Sequence, residues 1–224
     1  DFSKEFIYLW LKANMDYVLS YANGSTFLEI SKTAFKSLEF PKPPKEIRDV
    51  KTRMIGFTGN MDPNRVDYPL LKKIAERHSD KTLVLVGPIN NEEYKTVGLD
   101  KMPNVIMTGG KHIRELPKYL QHFDVTIIPF RKNVLTASIY PLKINEYLAS
   151  GKPVVSTTFS EDIKGFGDVI YLGNNDEQFL NKIDQAIGED SDERIEARAA
   201  KASQNTWKQR VERFWKIVNK HLEK

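Results

Sequence analysis

The sequence predicts an α/β fold, in which a Rossmann-like, doubly wound parallel sheet is followed by a C-terminal amphipathic helix. From Lys51 onward, short β-branched or apolar runs alternate with helical stretches. Strands that alternate with helices are joined by right-handed crossovers, which give a parallel sheet covered on both faces. Residues 205–224 instead repeat apolar side chains at helical spacing, which indicates a long final helix.

The elements of the sheet follow from two different periods in the chain. Strands are predicted from short runs rich in valine, isoleucine and threonine, and helices from apolar residues three and four positions apart. The predicted strands are 53–59, 82–87, 104–109, 124–130, 153–157 and 168–173. The predicted crossover helices are 68–76, 113–122, 141–149 and 175–187.

The segment before the sheet has a different character. Residues 2–13 predict a short helix and residues 16–22 a strand, which we interpret as the end of an earlier α/β unit. Proline excludes helix and central strand from residues 41–46, so we place a linker there. The predicted domains are residues 1–45 as the remnant of an N-terminal domain plus linker, 46–203 as the Rossmann-like domain, and 204–224 as the final helix.

The final helix carries an aromatic stripe that has to be covered. One interpretation is packing on this domain or on a neighbouring one, and the other is attachment of the basic flank of the helix to an anionic membrane surface. The stripe consists of Trp207, Val211, Phe214, Trp215, Val218 and Leu222.

Composition excludes several classes of protein. With 40% hydrophobic and 29% charged residues, the chain is globular and not disordered. It has no cysteine and four scattered histidines, so neither a disulfide framework nor a metal site is predicted. A net charge of +4 fits an anionic small ligand as well as nucleic acid. No apolar run approaches the ~18 residues of a membrane-spanning helix, and no export signal is visible, so we expect a cytoplasmic location.

Ligands of an open parallel sheet bind beyond the carboxyl ends of its strands, where helix N-termini present free N–H groups to anions. After the first strand, Gly59 permits close backbone approach, and Arg65 is suited to a phosphate. After the third strand, Gly109 and Gly110 precede Lys111, whose point charge suits a diphosphate. Glycine turns with solvated cations are the alternative interpretation of both loops.

A third loop, before the helix of residues 141–149, carries the strongest pattern. Lys143 and Glu146 are three positions apart and share one face of this helix, where the carboxylate can accept sugar hydroxyls and the lysine can bind phosphate. An ordinary helix ion pair is the alternative interpretation. Pro141 suits the first helical position, so we expect preceding N–H groups to face phosphate oxygens, namely those of Ser138, Ile139 and Tyr140.

Residues 141–156, PLKINEYLASGKPVVS, are similar to the P-x-K-x-x-E-Y-L-A-x-G-K-P-V-V signature of family 4 glycosyltransferases with the GT-B fold. A subgroup of that family also carries a G-x-x-G-N-x-D turn and a D-V-x-x-x-P-F strand. Both are present here, at residues 56–62 and 124–130. The resemblance covers about residues 53–160.

The resemblance implies that this is the C-terminal half of a GT-B fold, which binds a nucleoside-diphosphate sugar as substrate and needs no cofactor. Glu146 would hold the ribose hydroxyls, and Arg65 and Lys143 the diphosphate. In many relatives a second glutamate stands eight residues before Glu146, where this chain has Ser138, which argues against copying the usual donor assignment. The remaining implied donor contacts are Gly59 and Asn60 in the first turn, Gly109, Gly110 and Lys111 beside base and phosphate, and the backbone of Ser138, Ile139 and Tyr140 at the distal phosphate or sugar.

The implied function is transfer of a sugar from a UDP- or GDP-sugar to a glycan, lipid-linked or small-molecule acceptor, in cell-surface polysaccharide or glycan synthesis. By analogy with the family the transfer is retaining, and we assign no catalytic residue. No nucleic acid partner is expected, and weak peripheral contact at the inner membrane face is an added expectation. Because the family binds its acceptor with an N-terminal domain, this chain alone is expected to bind donor without transferring sugar.

Other functions share parts of this pattern. A nucleotide-sugar epimerase of GT-B architecture would keep the donor pocket without an acceptor. A non-catalytic nucleotide-sugar-binding module would fit the incomplete N-terminal domain and Ser138. A dinucleotide-dependent dehydrogenase fits worst, because no strand is followed by the spacing G-x-G-x-x-G.

Overall fold

The computed structural model describes residues 42–140 and 142–222 of the chain. Its centre is one sheet of six strands, all parallel, in the order β3-β2-β1-β4-β5-β6. This is the order of a doubly wound Rossmann sheet, which confirms the predicted fold class. The strands are β1 Met54–Thr58, β2 Thr82–Val86, β3 Val105–Gly109, β4 Val125–Ile128, β5 Val154–Thr157 and β6 Tyr171–Gly173.

Burial explains why these runs form strands. Every residue of β1, β2, β4 and β5 is buried, as expected for central strands covered by helices on both faces. Strand β3 lies at an edge and is half-buried throughout. The other edge strand, β6, begins three residues later than predicted, because the preceding residues form a turn in which Val169 and Ile170 both donate to the carbonyl of Phe166.

The helices begin where polar side chains cap them. Asp67, Asn175 and Ser191 each accept a hydrogen bond from a backbone N–H in the first turn of the helix that follows. The helices are α1 Tyr68–Arg77, α2 Glu93–Thr96, α3 Leu116–Leu120, α4 Val134–Ala137, α5 Leu142–Ala149, α6 Glu161–Lys164, α7 Asp176–Gly188, α8 Asp192–Ser203 and α9 Trp207–Leu222.

Two features of the helical prediction were wrong. The single-turn helices α2, α4 and α6 were missed, because one turn is too short to display a helical period. The helix predicted over residues 113–122 is divided into a 3₁₀ turn, Ile113–Glu115, and the short α3. His112 and Glu115 form a capping box that fixes this first turn. The helix and strand predicted within residues 2–22 lie outside the described residues.

The end of the predicted linker is docked on the domain. Ile47 is 2% exposed and belongs to the core. Beside it, the Lys111 ammonium donates to Oε1 of Glu46 at 2.7 Å, and the Tyr119 hydroxyl donates to Oε2 at 3.1 Å. These contacts fasten residues 44–50 to the loop that follows β3. The assignment of residues 1–45 to an N-terminal domain stays a prediction.

Helix α8 is fastened to the end of α5. Arg198 is 2% exposed, its Nε donates to the carbonyl of Gly151 at 2.9 Å, and its guanidinium pairs with Asp190. Helix α9, in contrast, leaves three residues of the predicted aromatic stripe exposed, namely Val211, Phe214 and Trp215. Ile217 beside them is also exposed. None of the helices in the described part of the chain combines the length and apolar character needed to cross a membrane.

Replacing Arg198 by methionine is expected to lower the free energy of unfolding by about 2–3 kcal/mol, because Asp190 and the Gly151 carbonyl would lose their buried partner. Urea denaturation measures the change. Arg194→Met on the same helix is the control: it removes an ion pair with Glu189 that is about half exposed and a hydrogen bond to the Tyr171 hydroxyl, so the loss should be about 1 kcal/mol. Equal losses in the two variants would contradict this role of Arg198.

The pair of Glu46 and Lys111 makes stability depend on pH. The hydrogen bond from Lys111 lowers the pKa of Glu46, and the bond to Glu46 raises the pKa of Lys111. A lowered carboxyl pKa stabilises the fold above the unfolded pKa of about 4.3, and this contribution is lost as pH falls through the lower folded value. The raised lysine pKa stabilises the fold below about pH 10.4, and that contribution is lost above it.

Glu46→Gln is therefore expected to lower the free energy of unfolding by about 1 kcal/mol at pH 7, with the difference from the unsubstituted chain closing as the solution is acidified. Urea denaturation at a series of pH values between 3 and 8 provides the measurement. Glu76→Gln, at an exposed position, serves as the control and should change stability by less than about 0.5 kcal/mol throughout. A pH-independent loss in Glu46→Gln would exclude the charge of Glu46 as the cause.

Candidate functional site

The sheet has a switch point between β1 and β4. Chain order runs outward from β1 through β2 to β3 on one side, and from β4 through β5 to β6 on the other. The pairing of β1 with β4 covers Ile55 and Gly56, whereas β1 continues to Thr58. The two strands therefore part before their carboxyl ends, and this is the place where doubly wound sheets bind ligands.

Glycine lines the carboxyl edge of the sheet beside this opening. The Gly59 N–H donates to the carbonyl of Val86 at 2.7 Å, and the Gly87 N–H donates to the carbonyl of Gly109 at 3.0 Å. A Cβ on Gly87 would lie 1.9 Å from the carbonyl oxygen of Gly59, so no other residue fits there without displacing the loop. The three loops after β1, β2 and β3 thus form one tightly connected ledge.

Lys143 lies directly over this ledge. A Cβ on Gly59 would be 2.2 Å from both Cε and Nζ of Lys143, and Gly59 itself has φ +137°, a conformation that disfavours side chains. The ammonium is also 5.6 Å from the ring centroid of buried Phe57. The absence of a side chain at Gly59 is therefore what allows the lysine to reach the backbone of the first loop.

The electrostatics of Lys143 favour an anion. Burial lowers the pKa of Lys143, Glu146 nearby raises it, and Arg65 lowers it further. Among residues 42–140 and 142–222, no carboxylate comes within 4.0 Å of its ammonium. A half-buried cation without an acceptor retains part of its desolvation cost, which a bound anion would offset.

Arg65 and Glu146 are the two charged side chains next to this lysine. Two contacts hold Arg65 in place. Its Nε lies 3.4 Å from Oδ2 of Asp62, and its carbonyl accepts a hydrogen bond from the N–H of Arg131 at 2.7 Å. Glu146 is exposed on α5, one turn after Lys143. The structure thus brings together Gly59, Arg65, Lys143 and Glu146, and Asn60 follows Gly59 on the exposed side of the loop.

Two of the three backbone amides predicted to contact a phosphate are hydrogen-bonded within the chain. The Ser138 N–H donates to the carbonyl of Leu135 at 3.3 Å, and the Ile139 N–H donates to that of Thr136 at 3.0 Å. Both amides complete the last turn of α4, a helix that the sequence did not reveal. A phosphate contact from these amides would replace those bonds, and the contact stays a prediction. Pro141 lies outside the described residues.

The third predicted residue of this loop, Tyr140, turns towards α6. Its ring centroid is 6.3 Å from that of Phe166, and its hydroxyl accepts a hydrogen bond from Nδ2 of Asn145 at 3.1 Å. Its side chain therefore packs between α5 and the turn after α6.

Lys111 is likewise engaged elsewhere. Its ammonium is bound to Glu46 of the linker and lies 5.9 Å from the ring centroid of Tyr119, so the structure does not direct it at Lys143. Gly109 and Gly110 remain on the ledge, where Gly109 contacts Gly87 and Gly110 contacts Pro88. The diphosphate contact of Lys111 stays a prediction, and its partner Glu46 could not be identified from local sequence.

Sequence reasoning missed Tyr147. The Thr58 N–H donates to its hydroxyl at 2.8 Å, and the side chain is completely buried. Burial raises the pKa of this hydroxyl, so it stays protonated. The available signal was its position four residues after Lys143, which places both side chains on one face of α5.

No group of three or more His, Asp or Glu side chains suited to a metal ion occurs among the described residues. The charged groups of the site are the cations Lys143 and Arg65, the exposed carboxylate of Glu146, and Asp62, which pairs with Arg65. Such an arrangement suits an anionic ligand that also carries hydroxyl groups.

Comparison with known proteins places most of the chain in one family. A family model described as glycosyl transferases group 1 matches residues 52–189. A second model, the type I restriction modification DNA specificity domain, matches residues 1–54, of which only the last thirteen are described. This second match covers less than a quarter of the chain and falls mainly on the segment expected to come from an acceptor domain.

Among curated proteins, the putative teichuronic acid biosynthesis glycosyltransferase TuaH of Bacillus subtilis is 31% identical over 144 residues, which cover 62% of this chain and 36% of TuaH. The chain therefore spans only about a third of the length of this relative.

Two solved structures share the fold. The lipopolysaccharide outer core galactosyltransferase WaaB matches with a TM-score of 0.60 and 14% identity, over 80% of this chain and 51% of its own. The HepE protein of Anabaena, in complex with UDP, matches with a TM-score of 0.56 and 18% identity, over 68% of this chain and 44% of its own. Since the family model covers more than half of the chain, the chain belongs to the glycosyl transferases group 1 family.

Proposed function

We propose that this domain binds the nucleoside-diphosphate sugar donor of a glycosyltransferase. The observation that carries the proposal is the half-buried ammonium of Lys143, which lies over Gly59 at the switch point and has no carboxylate partner in the described part of the chain. A diphosphate is an anion of the required size, and Arg65 stands beside the lysine as a second cation. In this arrangement the cations hold the ground-state phosphates and stabilise the charge that develops on the departing diphosphate.

Glu146 is proposed to bind the ribose. It is exposed, lies one turn beyond Lys143 on the same helix, and offers acceptor oxygens for a pair of hydroxyl groups. The first-turn amides of α5 supplement the cations at the phosphates, because the initial N–H groups of a helix have no partner within it. Gly59, Asn60, Gly109 and Gly110 form the ledge on which the base and phosphates would rest.

UDP is the nucleotide we propose first, with GDP second. The likeness to HepE, whose structure contains UDP, supports this order. The similarity to TuaH, described as a teichuronic acid biosynthesis protein, supports a role in cell-surface polysaccharide synthesis. An acceptor of glycan, lipid-linked or small-molecule type would bind opposite this domain, and peripheral contact with a membrane belongs to the same proposal.

UDP is expected to raise the melting temperature of the chain, because a ligand that binds only the folded state stabilises it by mass action. Lys143→Met should weaken UDP binding by about tenfold or more, since a charge-assisted hydrogen bond contributes on the order of 1.5–3 kcal/mol. Isothermal titration calorimetry measures both affinities. Lys81→Met is the matched control, because Lys81 is a largely buried lysine that precedes β2, at the opposite end of the sheet.

The proposal fails if neither UDP nor GDP binds at millimolar concentration, or if Lys143→Met binds UDP as tightly as the unsubstituted chain. If Lys81→Met lost UDP binding while Lys143→Met kept it, the anion would bind at the amino end of the sheet, and the proposal would also fail. Each of these results is read directly from the same titration.

Glu146→Ala tests the ribose contact separately from the phosphate contact. We expect about a tenfold loss in affinity for UDP and no loss for inorganic pyrophosphate, which has no ribose. Glu76→Ala, an exposed glutamate in the last turn of α1, should leave both affinities unchanged. UDP binding that survives Glu146→Ala at full strength would contradict the assignment of this residue.

A further inference from the structure

The hydroxyl of Tyr147 occupies the place that β4 vacates beside β1. The backbone groups of β1 and of the residue after it point alternately to the two neighbouring strands. The N–H of Gly59, an odd-numbered residue, donates to the carbonyl of Val86 on the β2 side. The carbonyl of Met54, an even-numbered residue, accepts from the N–H of Asp124 on the β4 side. Because successive residues of a strand point to opposite neighbours, the N–H of Thr58 faces β4. Pairing with β4 has already ended at Gly56, so this amide needs another acceptor.

Tyr147 supplies that acceptor through three contacts. The Thr58 N–H donates to Oη at 2.8 Å, and the Thr58 hydroxyl donates to Oη at 3.2 Å. The Tyr147 hydroxyl in turn donates to the carbonyl of Thr58 at 3.4 Å. Since Tyr147 is 0% exposed, water cannot replace these bonds without opening the core.

These bonds fix the distance between α5 and the loop that follows β1. Tyr147 follows Lys143 by four residues, so the two side chains lie on one face of the helix. Tyr147 is bonded to Thr58, the last residue of β1, and Lys143 lies over Gly59, the next residue along the chain. The last residue of β1 and the residue that follows it are therefore contacted by two consecutive turns of α5.

We propose that Tyr147 is a positioning residue, whose hydroxyl locks α5 to the end of β1 and so holds the Lys143 ammonium over Gly59 for a phosphate group. The role of Lys143 as phosphate ligand is taken from the proposed function. The position of the lysine over Gly59 is a property of the chain without ligand, and it can be measured by itself.

The first experiment therefore uses the free protein. The chain is treated with a limiting amount of acetic anhydride, and acetylation of Lys143 relative to Lys81 is measured by mass spectrometry. Tyr147→Phe is expected to raise the relative acetylation of Lys143 severalfold, because the released helix exposes its amine. Tyr171→Phe is the matched control: Tyr171 is also buried, and its hydroxyl bonds to Glu189 and Arg194 at the far edge of the sheet.

The second experiment measures affinity for UDP and for uridine by calorimetry. Tyr147→Phe should weaken UDP binding by about tenfold, as expected for a misplaced charge-assisted contact, and leave uridine binding unchanged. In a Lys143→Met background, Tyr147→Phe should cause no further loss of UDP affinity, because the group that it positions is gone. Tyr171→Phe should change none of these values.

Unchanged acetylation of Lys143 in Tyr147→Phe would overturn the inference, whether or not UDP binds. An equal loss of UDP affinity with and without Lys143 would also overturn it, because Tyr147 would then act through general stability. If the unsubstituted chain binds no nucleotide but Tyr147→Phe still raises acetylation, the proposed function fails and the positioning role stands. Should Tyr147→Phe not fold, Thr58→Val removes one of the three contacts and is expected to change acetylation in the same direction by a smaller factor.

Discussion

The early parting of β1 and β4 is the constraint on which the rest of the site depends. A parallel sheet whose order reverses at this point leaves an opening at its carboxyl edge, but it also leaves buried backbone groups of β1 without a neighbour. The N–H of Thr58 is such a group, and Tyr147 satisfies it from the helix. The hydrogen bond that satisfies the Thr58 amide therefore also fixes the position of α5, the helix that carries Lys143 and Glu146.

The geometry of the candidate site then depends on two positions that lack a side chain. Side chains at Gly59 or Gly87 would collide with Lys143 or with the neighbouring loop. Because both positions are glycine, the loops lie close enough to bond to one another, and the lysine descends onto the backbone of the first loop. In the described part of the chain, no carboxylate within 4.0 Å offsets the desolvation cost of the Lys143 ammonium. An anion bound at Lys143 would offset that cost.

Most of the sheet could be predicted from local sequence, because its strands are buried runs whose composition reports burial directly. The proximity of Lys143 and Glu146 could be predicted, because their spacing places both on one face of a helix. Contacts were missed where partners are distant: Lys111 is bound by Glu46, 65 residues earlier, and Tyr147 by Thr58, 89 residues earlier. The internal bonds of the Ser138 and Ile139 amides were missed for a local reason, since one turn of helix has no period to detect.

Two lysines at opposite ends of the sheet, Lys81 and Lys143, differ in how their charge is paired, and this difference supports the proposed site. At the amino end, Lys81 is paired with Asp80 and Asp184 at 3.0 and 3.2 Å, and Asp124 accepts the amide of Met54 at 2.7 Å. Those charges are satisfied within the fold, so they contribute to stability and leave nothing for a ligand. At the carboxyl end, half-buried Lys143 has no carboxylate within 4.0 Å among the described residues, and the helix that carries it also directs its amino end there. An anion bound between Lys143 and Arg65 would give Lys143 the ionic partner that Lys81 already has within the fold.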